Sequence, residues 1–205
     1  MSRLVIATHN PGKLREMQAL LAPLAIDVSG LHAWPPFEPP AETEASFVGN
    51  ARLKALATTM ELGLPALADD SGLVVDVLDG EPGIYSARYG GPDLDDPGRC
   101  AYLLAQLAAR GVDASPARFV CALVLARPDG AVMTYERAWE GTVRGPLRGA
   151  QGFGYDPLFE PAGAGGLTSA ELDPATKNAQ SHRGQALAAL TAWLAGHPEW
   201  LASAD

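Results

Sequence analysis

The chain has 205 residues, 47% of them apolar and 19% charged, a composition that can bury a sizeable core and is too hydrophobic for a disordered segment. Lys and Arg total 15 against 24 Asp and Glu, for a formal net charge of −9. No general field therefore draws a nucleic acid, and that class of partner is excluded. No apolar run approaches the roughly 20 residues that span a bilayer, so no membrane partner is expected.

Residues 4–8 (LVIAT) read as a strand. Asn10-Pro11 follows, with a helical pattern through Leu14, Met17, Leu20 and Leu21; Asn is a favoured N-cap and Pro suits the first turn. Residues 34–41 (WPPFEPPA) form a Pro-rich loop, and a helix is expected over 43–62. A strand over 65–68 is expected to end in a turn at Asp69-Asp70-Ser71-Gly72, with another strand over 73–78. The segment 79–93 is a Gly- and Pro-rich loop, and Asp96-Pro97 opens a helix carrying Leu103, Leu104 and Leu107. Runs at 119–126 and 131–143 flank Pro128-Asp129-Gly130, a hairpin signal. A second Gly-rich loop covers 149–156, and a last helix spans 182–195. Helices alternate with strands while the hairpin argues against a purely parallel sheet. The expected class is α/β, with a mixed sheet covered by helices.

The opening MSRLVIATHNPGK lacks the apolar length and small-residue cleavage site of a signal peptide. Cys100 and Cys121 form no CxxC and no framework, which makes a reducing cytosol the default compartment. His9, His32, His182 and His197 show no metal-ligand spacing, so zinc is not expected. Only Lys13, Lys54 and Lys177 are lysines, beside 12 arginines. A chain that uses Arg so freely reserves Lys for places that need a compact point charge.

Several constellations carry chemistry. Thr8-His9-Asn10-Pro11-Gly12-Lys13 sits at a strand-to-helix turn, where helix N–H groups and a lysine suit a phosphate. Ser46, Asn50 and Lys54 share one helix face, which alone reads as a solvated stripe. Asp69 and Asp70 follow an apolar strand, the place where open α/β sheets bind ligands. Paired carboxylates there suit a hard cation such as Mg²⁺ and a base with a raised pKa. In Gly152-Phe153-Gly154-Tyr155-Asp156 an aromatic flanked by glycines can lie against a base. Lys177, His182 and Arg183 put cations near the start of the last helix, where its dipole disfavours them.

Taken in order, IATHNPGKLREM, ETEASFVGNARLKA, ALADDSGLVVDVLDGEPGIYSARYGG, GFGYDPLF and SHRGQAL resemble the non-canonical purine nucleoside triphosphate pyrophosphatases, also called inosine/xanthosine triphosphate pyrophosphatases. The likeness runs from residue 3 to about 195 and takes in all three lysines. It implies one inosine triphosphatase-like domain over 1–205, built on a long mixed sheet flanked by helices, with two lobes and a cleft between them. It also implies a cytoplasmic homodimer and a Mg²⁺-dependent hydrolase that splits ITP, dITP or XTP to the monophosphate and pyrophosphate. On that resemblance Thr8, His9, Asn10, Pro11, Gly12 and Lys13 hold the triphosphate, helped by Lys54. Glu42 and Asp70 ligate Mg²⁺, Asp70 is the proton acceptor and Ser71 touches the substrate. Phe153, Gly154, Tyr155, Asp156, Lys177, His182 and Arg183 form the base pocket. Lys177 and Arg183 donate hydrogen bonds and accept none, so they suit a 6-oxo purine and oppose a 6-amino one. Two other readings are a nucleotide sensor without turnover and a pyrophosphatase of a different modified nucleotide.

This sequence departs from that pattern where His9 replaces a common Gly and where Gly49 replaces a Glu, while Glu44 stands at a position often Gly. A helix-interior Gly costs about 1 kcal/mol relative to Ala. Gly49→Glu is therefore expected to raise thermal stability and to strengthen Mg²⁺ binding.

Overall fold

A computed structural model describes residues 2–38 and 40–201. Among the described residues six strands form one sheet in the order β2-β1-β3-β4-β5-β6. The strands are β1 (Arg3–Ile6), β2 (Asp27–Gly30), β3 (Ala66–Val75), β4 (Ala114–Ala126), β5 (Val132–Arg144) and β6 (Phe159–Pro161). The helices are α1 (Pro11–Leu21), α2 (Phe47–Leu62), α3 (Asp96–Ala109), α4 (Pro174–Gln180) and α5 (His182–Leu194). Strand β1 pairs in parallel with β2 and β3, while β5 and β6 are antiparallel. The sheet is mixed, as expected. Among the described residues no helix is long and apolar enough to cross a membrane.

The chain forms two compact units. The first takes residues up to Asp70, Cys121–Arg137 and everything from Arg183 onward; the second takes Ser71–Val120 and Ala138–His182. In the first unit, strand alternation sorts side chains onto two faces. Leu4, Ile6, Leu67, Cys121, Leu123 and Leu125 pack with Met17 and Leu21 of α1 and with Leu187, Leu190 and Leu194 of α5. Ala7, Ala68, Ala122, Val124 and Ala126 pack with Ala51 and Ala55 of α2. The second face is built almost wholly of small residues, which lets α2 lie close to the sheet. The core of the second unit gathers Leu73 and Val75 of β3, Leu103 and Leu107 of α3, and Phe119, Trp139, Tyr155 and Phe159. The Phe119 and Phe159 rings meet edge to face at 4.7 Å between centroids.

Three expectations change. Asp69-Asp70-Ser71-Gly72 is no turn, because β3 runs unbroken through it to Val75. Asp and Gly favour turns in isolation, but both carboxylates here meet cations that make burial tolerable. Helix α2 begins at Phe47 rather than 43, since the Ser46 side chain caps it by accepting from the Gly49 N–H. Its polar face is no solvated stripe either: Asn50 is wholly buried. Strand β2 and helix α4 were not anticipated.

Gly49 lies in the first turn of α2, and a Cβ placed on it would come within 2.6 Å of Glu44 Cβ and 2.8 Å of Glu44 Cγ. Glu44 cannot simply withdraw, because its N–H donates to Asn50 Oδ1 at 3.1 Å. The expected gain from replacing this glycine is thereby reversed. We predict that Gly49→Ala destabilises the protein by ~1–2 kcal/mol, overpacking outweighing helix propensity. In a Glu44→Gly background the same substitution becomes stabilising. Denaturant unfolding of the four forms measures the sign change, and additive effects would refute it.

Candidate active site

In the first unit, Asn10 caps α1 as expected, but its Oδ1 accepts from the Gly12 N–H at 2.8 Å and the Lys13 N–H at 3.1 Å. Those two N–H groups are therefore paired, not open. Thr8 Oγ1 accepts in turn from the Asn10 N–H at 3.2 Å, so the turn from Thr8 to Lys13 is held by its own side chains. His9 and Pro11 are exposed on it.

Successive residues of a strand face opposite ways, and β3 divides Asp69 from Asp70 on that principle. Asp69 is on the side of α1 and α5. It is ion-paired with Lys13, and its Oδ2 accepts from Arg183 Nε at 3.2 Å and from the Cys121 thiol at 3.0 Å. The Arg183 guanidinium also pairs with Glu16. Burial would raise the Asp69 carboxyl, but Arg183 and Lys13 beside it hold it well below the usual carboxylate range. Burial and the Asp69 charge push the Cys121 thiol up, which keeps it a donor.

Asp70 is on the side of α2. Lys54 Nζ donates to Asp70 Oδ1 at 2.8 Å and to Glu42 Oε1 at 3.1 Å, so one ammonium spans two carboxylates. Asp70 Oδ2 is buried with no hydrogen-bond partner among the described residues. Burial raises the Asp70 carboxyl and Glu42 adds to this, against the opposing pull of Lys54 and Lys13. Lys54 is raised too, its burial outweighed by Asp70 and Glu42. Among the described residues no three His, Cys, Asp or Glu groups gather as a metal cage. Two carboxylates, one carrying an orphaned oxygen, nevertheless suit Mg²⁺, which takes few carboxylates and keeps several waters. Ser71 follows in β3 as the first residue of the second unit.

In the second unit Asp156 organises the Gly-rich loop. Its Oδ2 accepts from Lys177 Nζ at 2.7 Å and from the Phe153 N–H at 2.9 Å, and its Oδ1 from the Ser169 hydroxyl at 2.8 Å. Lys177 is thereby held with Nζ 5.3 Å from the centre of the Phe153 ring. Gly152 adopts φ +80°, and a Cβ there would run into Asp156 and Lys177, so only glycine fits. The Gly154 N–H donates to Asp96 at 2.7 Å. Tyr155 belongs to the core, and its hydroxyl donates to the Ser86 carbonyl at 2.8 Å. It shapes this loop from beneath. His182 is buried, its ring stacked on Phe119 at 5.0 Å and 11°.

Thr8–Lys13, Glu42, Lys54, Asp70 and Arg183 thus fall in the first unit, while Ser71, Phe153–Asp156, Lys177 and His182 fall in the second. Sequence reasoning did not find Asp69 as the partner of Lys13 and Arg183, nor Glu16 and Cys121 around it. Strand alternation was the signal: if DDSG is strand, its two aspartates cannot face one ion.

The sequence matches the model of the Ham1 family over residues 4–193. A dITP/XTP pyrophosphatase of Rhodospirillum centenum is 51% identical, the match covering 92% of this chain and 93% of that protein. One of Streptomyces coelicolor is 47% identical, covering 93% and 96% respectively. Among solved structures a HAM1 protein from Coxiella burnetii superposes with a TM-score of 0.85 at 40% identity, covering 96% of this chain and all of that one. The Staphylococcus aureus Ham1 protein gives a TM-score of 0.83 at 35% identity, covering 95% and 99%.

Removing one partner from a buried ionic network leaves charge without compensation, a loss of about 3–5 kcal/mol. We predict a loss of that size for Asp69→Asn at pH 7, read by urea unfolding. A carboxyl depressed in the folded state contributes stability above its unfolded pKa, and this is lost as pH falls through the folded value. The gap between wild type and Asp69→Asn should therefore hold from neutral pH into mild acid and close only below pH ~4, near the unfolded value. A gap that shrinks between pH 8 and 6 would contradict the assignment.

Proposed function

This chain belongs to the Ham1 family, and from that premise we propose that it hydrolyses the triphosphates dITP, XTP and ITP to the monophosphate and pyrophosphate. The names of its relatives support this substrate class. The observation that carries the chemistry is Asp70: a buried carboxylate on an apolar strand, one oxygen on Lys54 and the other without a hydrogen-bond partner among the described residues.

In this reading Glu42 and Asp70 hold Mg²⁺. When bound, Mg²⁺ offsets negative charge on the triphosphate and on the departing pyrophosphate. Asp70 takes the proton of the water that attacks the α-phosphorus, the part of a general base. Lys13 and Lys54 neutralise phosphate oxygens, and the Asn10 cap fixes the turn from Thr8 to Lys13. The contact of Ser71 with the substrate belongs to the proposal on the motif resemblance alone, since β3 alternates its side chains and Ser71 follows Asp70 directly.

Phe153, Gly154 and Lys177 recognise the base, with Asp156 fixing the lysine and Tyr155 and His182 supporting the loop and pocket. An ammonium held by Asp156 donates to a 6-oxo group and has nothing to offer a 6-amino group except repulsion between donors. Such a mismatch leaves buried donors unpaired, which is how large discrimination arises. Arg183 contributes from a guanidinium anchored by Asp69 and Glu16. A cytoplasmic homodimer is part of the same proposal, on the strength of the motif resemblance.

Pyrophosphate release from dITP, XTP, ITP, GTP and ATP, with and without Mg²⁺, tests the reading. Turnover of dITP, XTP and ITP that ceases without Mg²⁺ is expected, with ATP a poor substrate; indifference to base or metal would refute it. Asp70→Asn should lower kcat on dITP by at least ~10²-fold, the scale of a lost general base, while nucleotide still binds in equilibrium dialysis. Near-normal turnover by this variant would remove Asp70 from the chemistry.

A further inference from the structure

The ammonium of Lys54 lies where the proposed reaction needs a metal. Its Nζ is 2.8 Å from Asp70 Oδ1 and 3.1 Å from Glu42 Oε1, the two carboxylates assigned to Mg²⁺. The pair is well enclosed, with 18% of the Lys54 side chain and 10% of the Asp70 side chain exposed. A hard cation arriving there meets a like charge already bound to the same oxygens. Lys13, the other lysine acting on Asp70, is ion-paired with Asp69, and Arg183 is held by Asp69 and Glu16, so neither can replace Lys54 at Asp70 without giving up its own carboxylate.

Lysine suits an exchangeable pairing better than arginine does. Its charge is compact, its stem of four methylenes is flexible, and it has no planar fork to lock it onto a carboxylate. Transfer of the ammonium from carboxylate to phosphate exchanges one anionic partner for another. The desolvation already incurred by burying Lys54 is then not incurred again. The two vacated carboxylate oxygens, with the orphaned Asp70 Oδ2, become a set of hard oxygen ligands.

We propose that Lys54 is a built-in counter-cation of the metal position. In the nucleotide-free protein it holds divalent-metal affinity down. It releases Glu42 and Asp70 when a triphosphate draws its ammonium away, so metal and nucleotide load together. The coupling is reciprocal by thermodynamic necessity: whatever factor nucleotide adds to metal affinity, metal adds to nucleotide affinity. Lys54 is on this account both a phosphate ligand and the element that sets when the metal binds. The inference rests on the assignment of Glu42 and Asp70 to Mg²⁺.

Mn²⁺ serves as the probe, its free concentration read by electron paramagnetic resonance over the nucleotide-free, full-length protein. Wild type, Lys54→Gln, Lys54→Met, Lys54→Arg and Asp70→Asn are titrated after circular dichroism confirms the fold of each. Lys54→Gln and Lys54→Met should bind Mn²⁺ at least ~10-fold more tightly than wild type, because a positive charge within hydrogen-bonding distance of both ligands has gone. Lys54→Arg keeps the charge and should stay near wild type. Lys54→Gln keeps a donor for Asp70 Oδ1 and decides the matter if the Met form does not fold. Mn²⁺ should also raise the Tm of Lys54→Gln more than that of wild type, as tighter binding to the native state requires. Equal or weaker Mn²⁺ affinity in the neutral variants, with wild-type binding that Asp70→Asn abolishes, overturns the counter-cation and leaves the metal assignment standing. Absence of any Asp70-dependent Mn²⁺ binding, even with a non-hydrolysable dITP analogue, overturns both.

Discussion

The alternation of β3 is the constraint on which the rest of the first unit depends. Two adjacent aspartates look like one feature in sequence, but a strand sends them to opposite faces, and the two faces are packed by different helices. Asp69 enters the layer of α1 and α5, where it is fully buried and gathers Lys13, Arg183 and the Cys121 thiol. Asp70 enters the layer of α2, where it meets Lys54 and retains one oxygen with no partner among the described residues. The first is an anchor with its negative charge fully used. The second is the reagent of the proposed reaction.

Each of the three lysines pairs with an aspartate: Lys13 with Asp69, Lys54 with Asp70, Lys177 with Asp156. The partner fixes where each ammonium sits before any ligand arrives. Arg183 is held differently. Its fork reaches Asp69 and Glu16 together, a two-ended grip that a lysine would lose.

What was legible in the sequence was local. Asn10-Pro11 gave away the start of α1 because an N-cap and an N1 proline act within one turn, and Pro128-Asp129-Gly130 marked the β4–β5 connection for a similar reason. Strand β2 escaped because Asp27-Val28-Ser29-Gly30 is short and half polar, and α4 because seven residues carry too little periodicity. The DDSG segment was misread because its turn propensity is real, and only partners distant in sequence override it. Arg183 reaches Asp69 across 114 residues and Lys177 reaches Asp156 across 21. Residue types at the site were therefore readable from motifs, while the pairing of each cation with its carboxylate was not. Gly49 shows the same limit: its space is taken by Glu44, a neighbour five positions back whose contact no helix propensity encodes.

A formal charge of −9 repels a polyanion at long range, so a triphosphate substrate cannot be steered by the field of the whole protein. Attraction must begin within about a Debye length, roughly 8–10 Å at ordinary ionic strength, where individual ammonium groups outweigh the mean field. Lys13 and Lys54 are then better presented on buried aspartates than as loose surface chains. Paired, they add nothing to the repulsion of incoming cations at a distance, yet each can turn to phosphate at contact. On the proposed reading the carboxylates they leave behind are too enclosed to stay bare at small cost, and among the described residues Asp69 keeps Arg183 as a second cation whereas Asp70 keeps none at hydrogen-bonding distance. In the proposed reaction a divalent metal would replace the lysine at Asp70 and not at Asp69. The same asymmetry that makes one aspartate an anchor is thus what the proposal uses to make the other the place where substrate and metal arrive as a set.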